Sequence, residues 1–227
     1  MAGTTAIVTG GSSGLGAAVA AAVAAAGATP VVLDVRPPAA DHPFEKVDLA
    51  DGAAAEEVVR AVIAERGGID AVVTCAGIDV PAPLEALDRE DCERIVKVNL
   101  FGTAAVVRAA LPALAERRGK VVTVASTLGH RVAGDATAYC ASKFGVVGFT
   151  RALQAEVKGR VGVTLLTPGG MHTAFFDERD EQYKPGPDAR LSDPADVAAT
   201  VVFALTRPEG CEVKELVVTS PWETSWP

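Results

Sequence analysis

Ala6-Ile-Val-Thr-Gly-Gly-Ser-Ser-Gly-Leu-Gly16 is the stretch on which the fold turns. Ala6 to Val8 read as a short buried strand, Thr9 to Gly14 as a turn, and Leu15 to Ala26 as a helix-favouring run closed by Gly27. Leu15, Val19 and Val23 lie four apart and so share one helical face. At the strand-to-helix turn, Gly10, Gly14 and Gly16 carry no side chains, which lets a diphosphate approach the main chain at a helix N-terminus that favours anions. Their spacing is not G-x-G-x-x-G, and glycine turns also serve as plain loops and caps. The turn therefore raises the idea of a dinucleotide site without deciding it.

Outward from this stretch the same alternation repeats. A second apolar run, Val31 to Leu33, ends at Asp34; a helix near Ala53 to Arg66 and a strand near Ala71 to Thr74 complete a βαβαβ unit. Then come a helix from about Asp88 to Arg117 with a potential kink at Pro112, the strand Lys120 to Val124, a helix from about Ala138 to Val157, and the strand Val161 to Leu166. A polar segment runs from Pro168 to Arg190, followed by a helix near Pro194 capped by Ser192 or Asp193, and a last strand, Glu215 to Val218. Short, wholly apolar strands separated by helices belong in a parallel sheet covered on both faces. The expected fold is α/β, one doubly wound domain over residues 1–227, with Pro37, Pro38 and Pro43 marking a surface loop.

Composition narrows the function classes. The 227 residues are 49% hydrophobic and 22% charged, which excludes disorder, and the net charge of -8 repels phosphate backbones and anionic lipid, so neither nucleic acid nor membrane is an expected partner. The uncharged stretch Met1 to Leu33 imitates a signal or membrane span, but it has no basic start and is interrupted early by Thr, Ser and Gly. Cys75, Cys92, Cys140 and Cys211 are too far apart for a C-x-x-C pair, which fits a reduced cytoplasmic setting and gives no metal-ligand set.

Five further positions carry chemistry. Asp34 follows Gly16 by 18 residues, close to the offset at which an acidic side chain accepts hydrogen bonds from the adenosine ribose. The same carboxylate repels a 2'-phosphate, favouring NAD(H) over NADP(H), although Arg36 would attract one. Tyr139 and Lys143 stand four apart at the start of a predicted helix, so the ammonium is placed to lower the phenol's pKa and ready it for proton exchange. Ser126 follows a central strand, at the end where open parallel sheets bind ligands, and Asn99 is a polar amide inside a predicted helix.

Taken together, Thr9-Gly-x-x-x-Gly-x-Gly, Asp48-Leu49, Cys75-Ala-Gly77, Asn99, Ser126, Tyr139-x-x-x-Lys143 and Pro168-Gly169 resemble the short-chain dehydrogenase/reductase family over nearly the whole chain. The resemblance implies a Rossmann-like sheet and a catalytic set in which Tyr139 transfers the proton, Ser126 holds the substrate oxygen, Lys143 tunes the tyrosine and holds the cofactor ribose, and Asn99 supports a water relay. It also implies cofactor contacts from Gly10, Ser13, Gly14, Leu15 and Gly16 at the turn, from Asp34, and from Asp48 and Leu49 at the adenine. Ala76 and Gly77 would line the groove, while Pro168, Gly169, Met171 and Thr173 would meet the nicotinamide end. The sequence departs from the family pattern twice: Asn-Asn-Ala-Gly reads Thr74-Cys75-Ala76-Gly77, and the acidic-Gly-Gly ending is replaced by Thr219-Ser-Pro-Trp-Glu-Thr-Ser-Trp-Pro227.

The expected activity is an NAD(H)-dependent interconversion of a secondary alcohol and a ketone. Two alternatives stay open: an NADPH-dependent ketone or 3-oxoacyl reductase, and a non-catalytic dinucleotide sensor on the same fold. A lid near residues 170–192 is expected over a small-molecule pocket, with Phe175 and Phe176 either capping it or packing beneath, and His130 and His172 near it. The resemblance implies a homodimer or homotetramer joined through the helices near Asn99 to Arg117 and Ala138 to Val157. Trp222 and Trp226 either pack at a contact or belong to a frayed tail.

Overall fold

The computed structural model describes residues 1–226; Pro227, the end of the tail, lies outside the described residues. Strands β1 (Thr5–Thr9), β2 (Thr29–Asp34), β3 (Phe44–Lys46), β4 (Ala71–Thr74), β5 (Lys120–Val124), β6 (Gly162–Pro168) and β7 (Glu215–Val218) form one sheet in the order β3-β2-β1-β4-β5-β6-β7. Every pairing is parallel, from Val32 opposite Phe44 at one edge to Leu165 opposite Glu215 at the other. The helices are α1 (Gly14–Ala25), α2 (Gly52–Arg66), α3 (Arg89–Val96), α4 (Thr103–Glu116), α5 (Thr137–Glu156) and α6 (Pro194–Leu205). The chain is thus a Rossmann-like α/β fold.

Because successive strand residues point to opposite faces, each buried strand feeds two cores. Ile7, Leu33, Val72, Val121 and Val163 pack with Val59, Val106, Leu114 and Leu153, under α2, α4 and α5. Ala6, Val8, Val73, Val122 and Leu166 pack with Val19, Val23, Val197 and Val201, under α1 and α6. Burying a Val or Leu side chain is worth roughly 1.5–3 kcal/mol, which is why these runs need no polar alternation.

Local signals set most boundaries. Asp51 caps α2 by accepting from the Ala54 amide at 3.0 Å, and the left-handed Gly67 (φ +67°) ends it. Asp193, of the two candidates, caps α6 through the Ala195 amide at 2.8 Å. The Pro37 to Pro43 loop leads into β3, an edge strand of three residues that sequence reading leaves as loop. The long helix passes through Pro112 as α4, and its irregularity lies earlier, in a π-helical turn over Lys97–Gly102. The order of β1 and β4 around the point where the sheet reverses direction opens a crevice at the strands' carboxyl ends.

Candidate active site

The crevice begins with the glycine turn. Gly10 has φ +66°, and a Cβ there would lie 2.7 Å from the Ala76 Cα; a Cβ on Gly16 would collide with the Gly10 carbonyl. Main chain therefore meets main chain, with no room for side chains between. Ser13 occupies the N-cap of α1 without a side-chain capping bond, so the helix's first amides are not closed off from within the chain. A tight glycine cradle and an open helix N-terminus fit a dinucleotide's diphosphate. Leu15 is buried just beyond, in the α1 core.

Asp34 ends β2 beside this turn. Its Oδ2 accepts from the Ser12 amide at 3.1 Å and its Oδ1 from the Arg36 amide at 3.2 Å, so the carboxylate is oriented by the main chain. Asp48 accepts from the Ala50 amide at 2.9 Å and pairs with Arg94 at 3.0 Å. Burial would raise that carboxyl, but the Ala50 amide and Arg94 outweigh it and hold it below its ordinary value. Leu49 is buried against Gly102, where a Cβ would lie 2.7 Å from the Leu49 Cβ.

At the ends of β4 and β5 the second group converges. Ala76 donates its amide to Thr9 Oγ1 at 3.2 Å, and a Cβ on Gly77 would sit 3.4 Å from Lys143 Nζ and 3.6 Å from Asn99 Oδ1. Lys143, 4% exposed, donates to the Val124 carbonyl at 3.0 Å and lies 5.7 Å from the centre of the Tyr139 ring. Tyr139 is 9% exposed, one turn earlier on α5; Ser126 lies close enough to favour its ionised form, and the Ser126 Oγ accepts from the Leu128 amide at 3.2 Å. Asn99, wholly buried in the π-helical turn, accepts from the Ile78 amide at 2.8 Å and donates to the Ile78 carbonyl at 2.9 Å and Ser142 Oγ at 3.0 Å. Its amide clamps the backbone just after Gly77.

The electrostatics reverse one expectation. Burial pushes the Tyr139 phenol up to about 12, with Ser126 opposing, and burial pushes Lys143 down to about 8. In the protein alone, loss of hydration dominates the phenol and the ammonium does not make it acidic. Burial likewise raises the Cys75 thiol to about 12, with Lys143 opposing, which leaves it a poor nucleophile.

After β6, which ends at Pro168, Gly169 donates to the Val218 carbonyl at 3.0 Å and Met171 bridges to Ser192. Met171 packs on the core beneath α1 and α6, whereas Thr173 returns to the glycine turn, 3.4 Å from where a Gly14 Cβ would be. His130 contacts Thr167 Oγ1 at 3.1 Å, and His172 is exposed. Several contacts lie beyond sequence reading. Phe175 lies 6.0 Å from the Tyr139 ring, Arg179 pairs with Asp79 at 3.0 Å, and the Tyr183 hydroxyl donates to Asp135 at 2.9 Å. The tail is docked: Glu223 accepts from the Gly170 amide at 2.8 Å, Ser225 donates to Thr127 at 2.7 Å, and Trp226 meets His130 edge-on at 5.4 Å.

This crevice, with its glycine cradle, its half-buried Ser126 and its buried Tyr139 and Lys143, is that of a nicotinamide-dependent oxidoreductase fold. The chain belongs to the short chain dehydrogenase family, whose sequence profile matches residues 4–184. It is similar to D-threitol dehydrogenase of Mycolicibacterium smegmatis, 35% identical over 88% of this chain and 85% of that one. It is 32% identical over 96% of its length to glycine betaine reductase ATRR of Emericella nidulans, of which it spans only 19%. Among solved structures, the alcohol dehydrogenase of Thermococcus sibiricus, complexed with 5-hydroxy-NADP, matches with a TM-score of 0.84 and 25% identity over 96% of this chain and 97% of that one. Family membership makes the protein an oxidoreductase that uses a nicotinamide dinucleotide.

Proposed function

We propose that the protein interconverts a secondary alcohol and a ketone with NAD(H), and that Tyr139, Ser126 and Lys143 carry the reaction. The observation that bears the most weight is the burial of Tyr139 beside Ser126 and Lys143 at the mouth of the crevice whose far side is the glycine cradle. When bound, the dinucleotide supplies the hydride acceptor or donor at its nicotinamide ring. Tyr139 Oη takes the hydroxyl proton of the alcohol, and Ser126 Oγ fixes the oxygen and stabilises charge developing on it. Lys143 Nζ, fixed by the Val124 carbonyl, faces Gly77 and holds the ribose there. Asn99 keeps the Ile78 segment in place.

Asp34 supports NAD over NADP, since its carboxylate is oriented by two main-chain amides and repels a 2'-phosphate. Exposed Phe101 and Phe144, on the π-helical turn and α5, support assembly of a homodimer or homotetramer through those helices. The test is steady-state kinetics on a panel of secondary alcohols and ketones with NAD(H) and NADP(H) side by side. A higher kcat/KM with NAD is expected. A preference for NADP would overturn the cofactor assignment, and dinucleotide binding without turnover of any substrate would favour a sensor.

A further inference from the structure

Asp79 and Arg179 come from segments 100 residues apart and meet as an ion pair, Arg179 Nη2 to Asp79 Oδ2 at 3.0 Å, with side chains only 4% and 14% exposed. A buried pair normally uses all its polar atoms, because each idle one has lost its water for nothing. Here Asp79 Oδ1 and Arg179 Nε are both enclosed and have no partner. The Tyr183 to Asp135 hydrogen bond already ties the same segment down, and neither of its two side chains leaves an enclosed atom idle.

The pair sits beside the reacting group. The Arg179 guanidinium lies 4.7 Å over each of the Phe175 and Phe176 rings, and Phe175 is 6.0 Å from the Tyr139 ring. Both charges are felt at the phenol, Asp79 raising it and Arg179 lowering it. Burial holds the Asp79 carboxyl above its ordinary value, with Arg179 opposing.

The two idle atoms define which substrate group would satisfy both. One is an acceptor and the other a donor. A substrate carboxylate would satisfy Arg179 but be repelled by Asp79; an ammonium would do the reverse; an alkyl chain would leave both idle. A hydroxyl is the smallest neutral group that serves both. We infer that Asp79 and Arg179 are the specificity-determining pair, Oδ1 accepting from a hydroxyl next to the reacting carbinol and Nε donating to an oxygen of that diol, so that the substrate is a vicinal diol or longer polyol. This rests on the alcohol-oxidising reading above.

The experiment compares 2,3-butanediol and erythritol with 2-butanol, which lacks the second hydroxyl, and with lactamide, which offers an amide in its place. The ratio of kcat/KM for diol over 2-butanol is expected to be at least ~10²-fold in the native protein, since a site built to bond a hydroxyl strongly rejects the analogue lacking it. In the paired variant Asp79→Asn/Arg179→Gln, which removes both charges together and strands neither, that ratio falls by roughly 10-fold or more. A native ratio near one, a ratio unchanged in the variant, equal losses on both alcohols with a lowered Tm, or a preference for lactamide overturns the inference. Calorimetry on Tyr139→Phe saturated with NAD separates this from the catalytic reading. Erythritol binding there, weakened roughly 10-fold or more by Asp79→Asn/Arg179→Gln, upholds the diol site even if the native protein oxidises no alcohol. Absence of that binding overturns it.

Discussion

Lys143 carries a proton in a place that disfavours it, and the consequence is measurable without substrate. Burial lowers its pKa from an ordinary 10.5 to about 8. Below pH 8 the ammonium is charged in both folded and unfolded chains, so the folded state bears the full penalty of burying it. Between pH 8 and 10.5 the unfolded chain binds more protons than the folded one, and stability contributed by this group rises with pH. That gap, at ~1.4 kcal/mol per pH unit, amounts to about 3 kcal/mol. For a chain of 227 residues, where 1 kcal/mol moves Tm by about 2 °C, it corresponds to about 6 °C. The perturbation is Lys143→Met, which keeps the stem and removes the charge. Tyr139 and Cys75, both pushed up to about 12, remain in both proteins and cancel in the difference. Tyr139 alone would make stability fall from pH 10 toward 12, so the comparison stops at pH 10. Scanning calorimetry from pH 7 to 10 should show the native Tm rising against that of Lys143→Met by roughly 4 °C above pH 8. A flat or falling difference refutes the buried ammonium.

Tyr139→Phe should keep dinucleotide affinity, read by calorimetry, and lose about 10² to 10⁴-fold in kcat, the range for positioned acid-base catalysis; near-native turnover would remove the proton-transfer role. Asp34→Ser should shift the NAD over NADP ratio of kcat/KM by roughly 10 to 10²-fold toward NADP, as expected when a charge-assisted hydrogen bond is lost; an unchanged ratio would mean another residue selects the cofactor. Gly16→Ala drives a Cβ into the Gly10 carbonyl and should lower Tm by about 6 °C, whereas Gly148→Ala, exposed on α5 with open space around its Cβ, should raise it by about 1–2 °C. Equal shifts would show that the glycine turn is not tightly packed. Truncation after Thr219 removes the Glu223 hold on Gly170 and should raise KM for substrate, measured at saturating NAD.

Much of the sheet could be read directly because strands buried on both faces appear as bare apolar runs: Ala71 to Thr74 and Lys120 to Val124 are strands to the residue; Glu215 to Val218, a half-exposed edge strand, is legible from its Leu-Val-Val run alone. β3 escaped because Phe44-Glu-Lys46 is a half-exposed edge with no apolar run, paired through Val32 opposite Phe44. Tyr139 and Lys143 are legible since helical geometry fixes their separation. Asp79 and Arg179 are not, since only the folded path of the chain brings them together. The phenol's raised pKa was also out of reach, because burial acts through the surroundings rather than the neighbouring ammonium.

The six-residue wide turn over Lys97–Gly102 sets two lengths of helix out of phase with each other. An ideal helix advances about 100° per residue, so deleting one residue there would tidy the hydrogen-bond ladder while rotating α3 by that angle relative to α4. Ile95 would leave its buried seat and Asn99 would no longer face Ile78. Length at this point of the chain is under as tight a constraint as residue identity: a shorter variant would gain a more regular rod and forfeit the cleft.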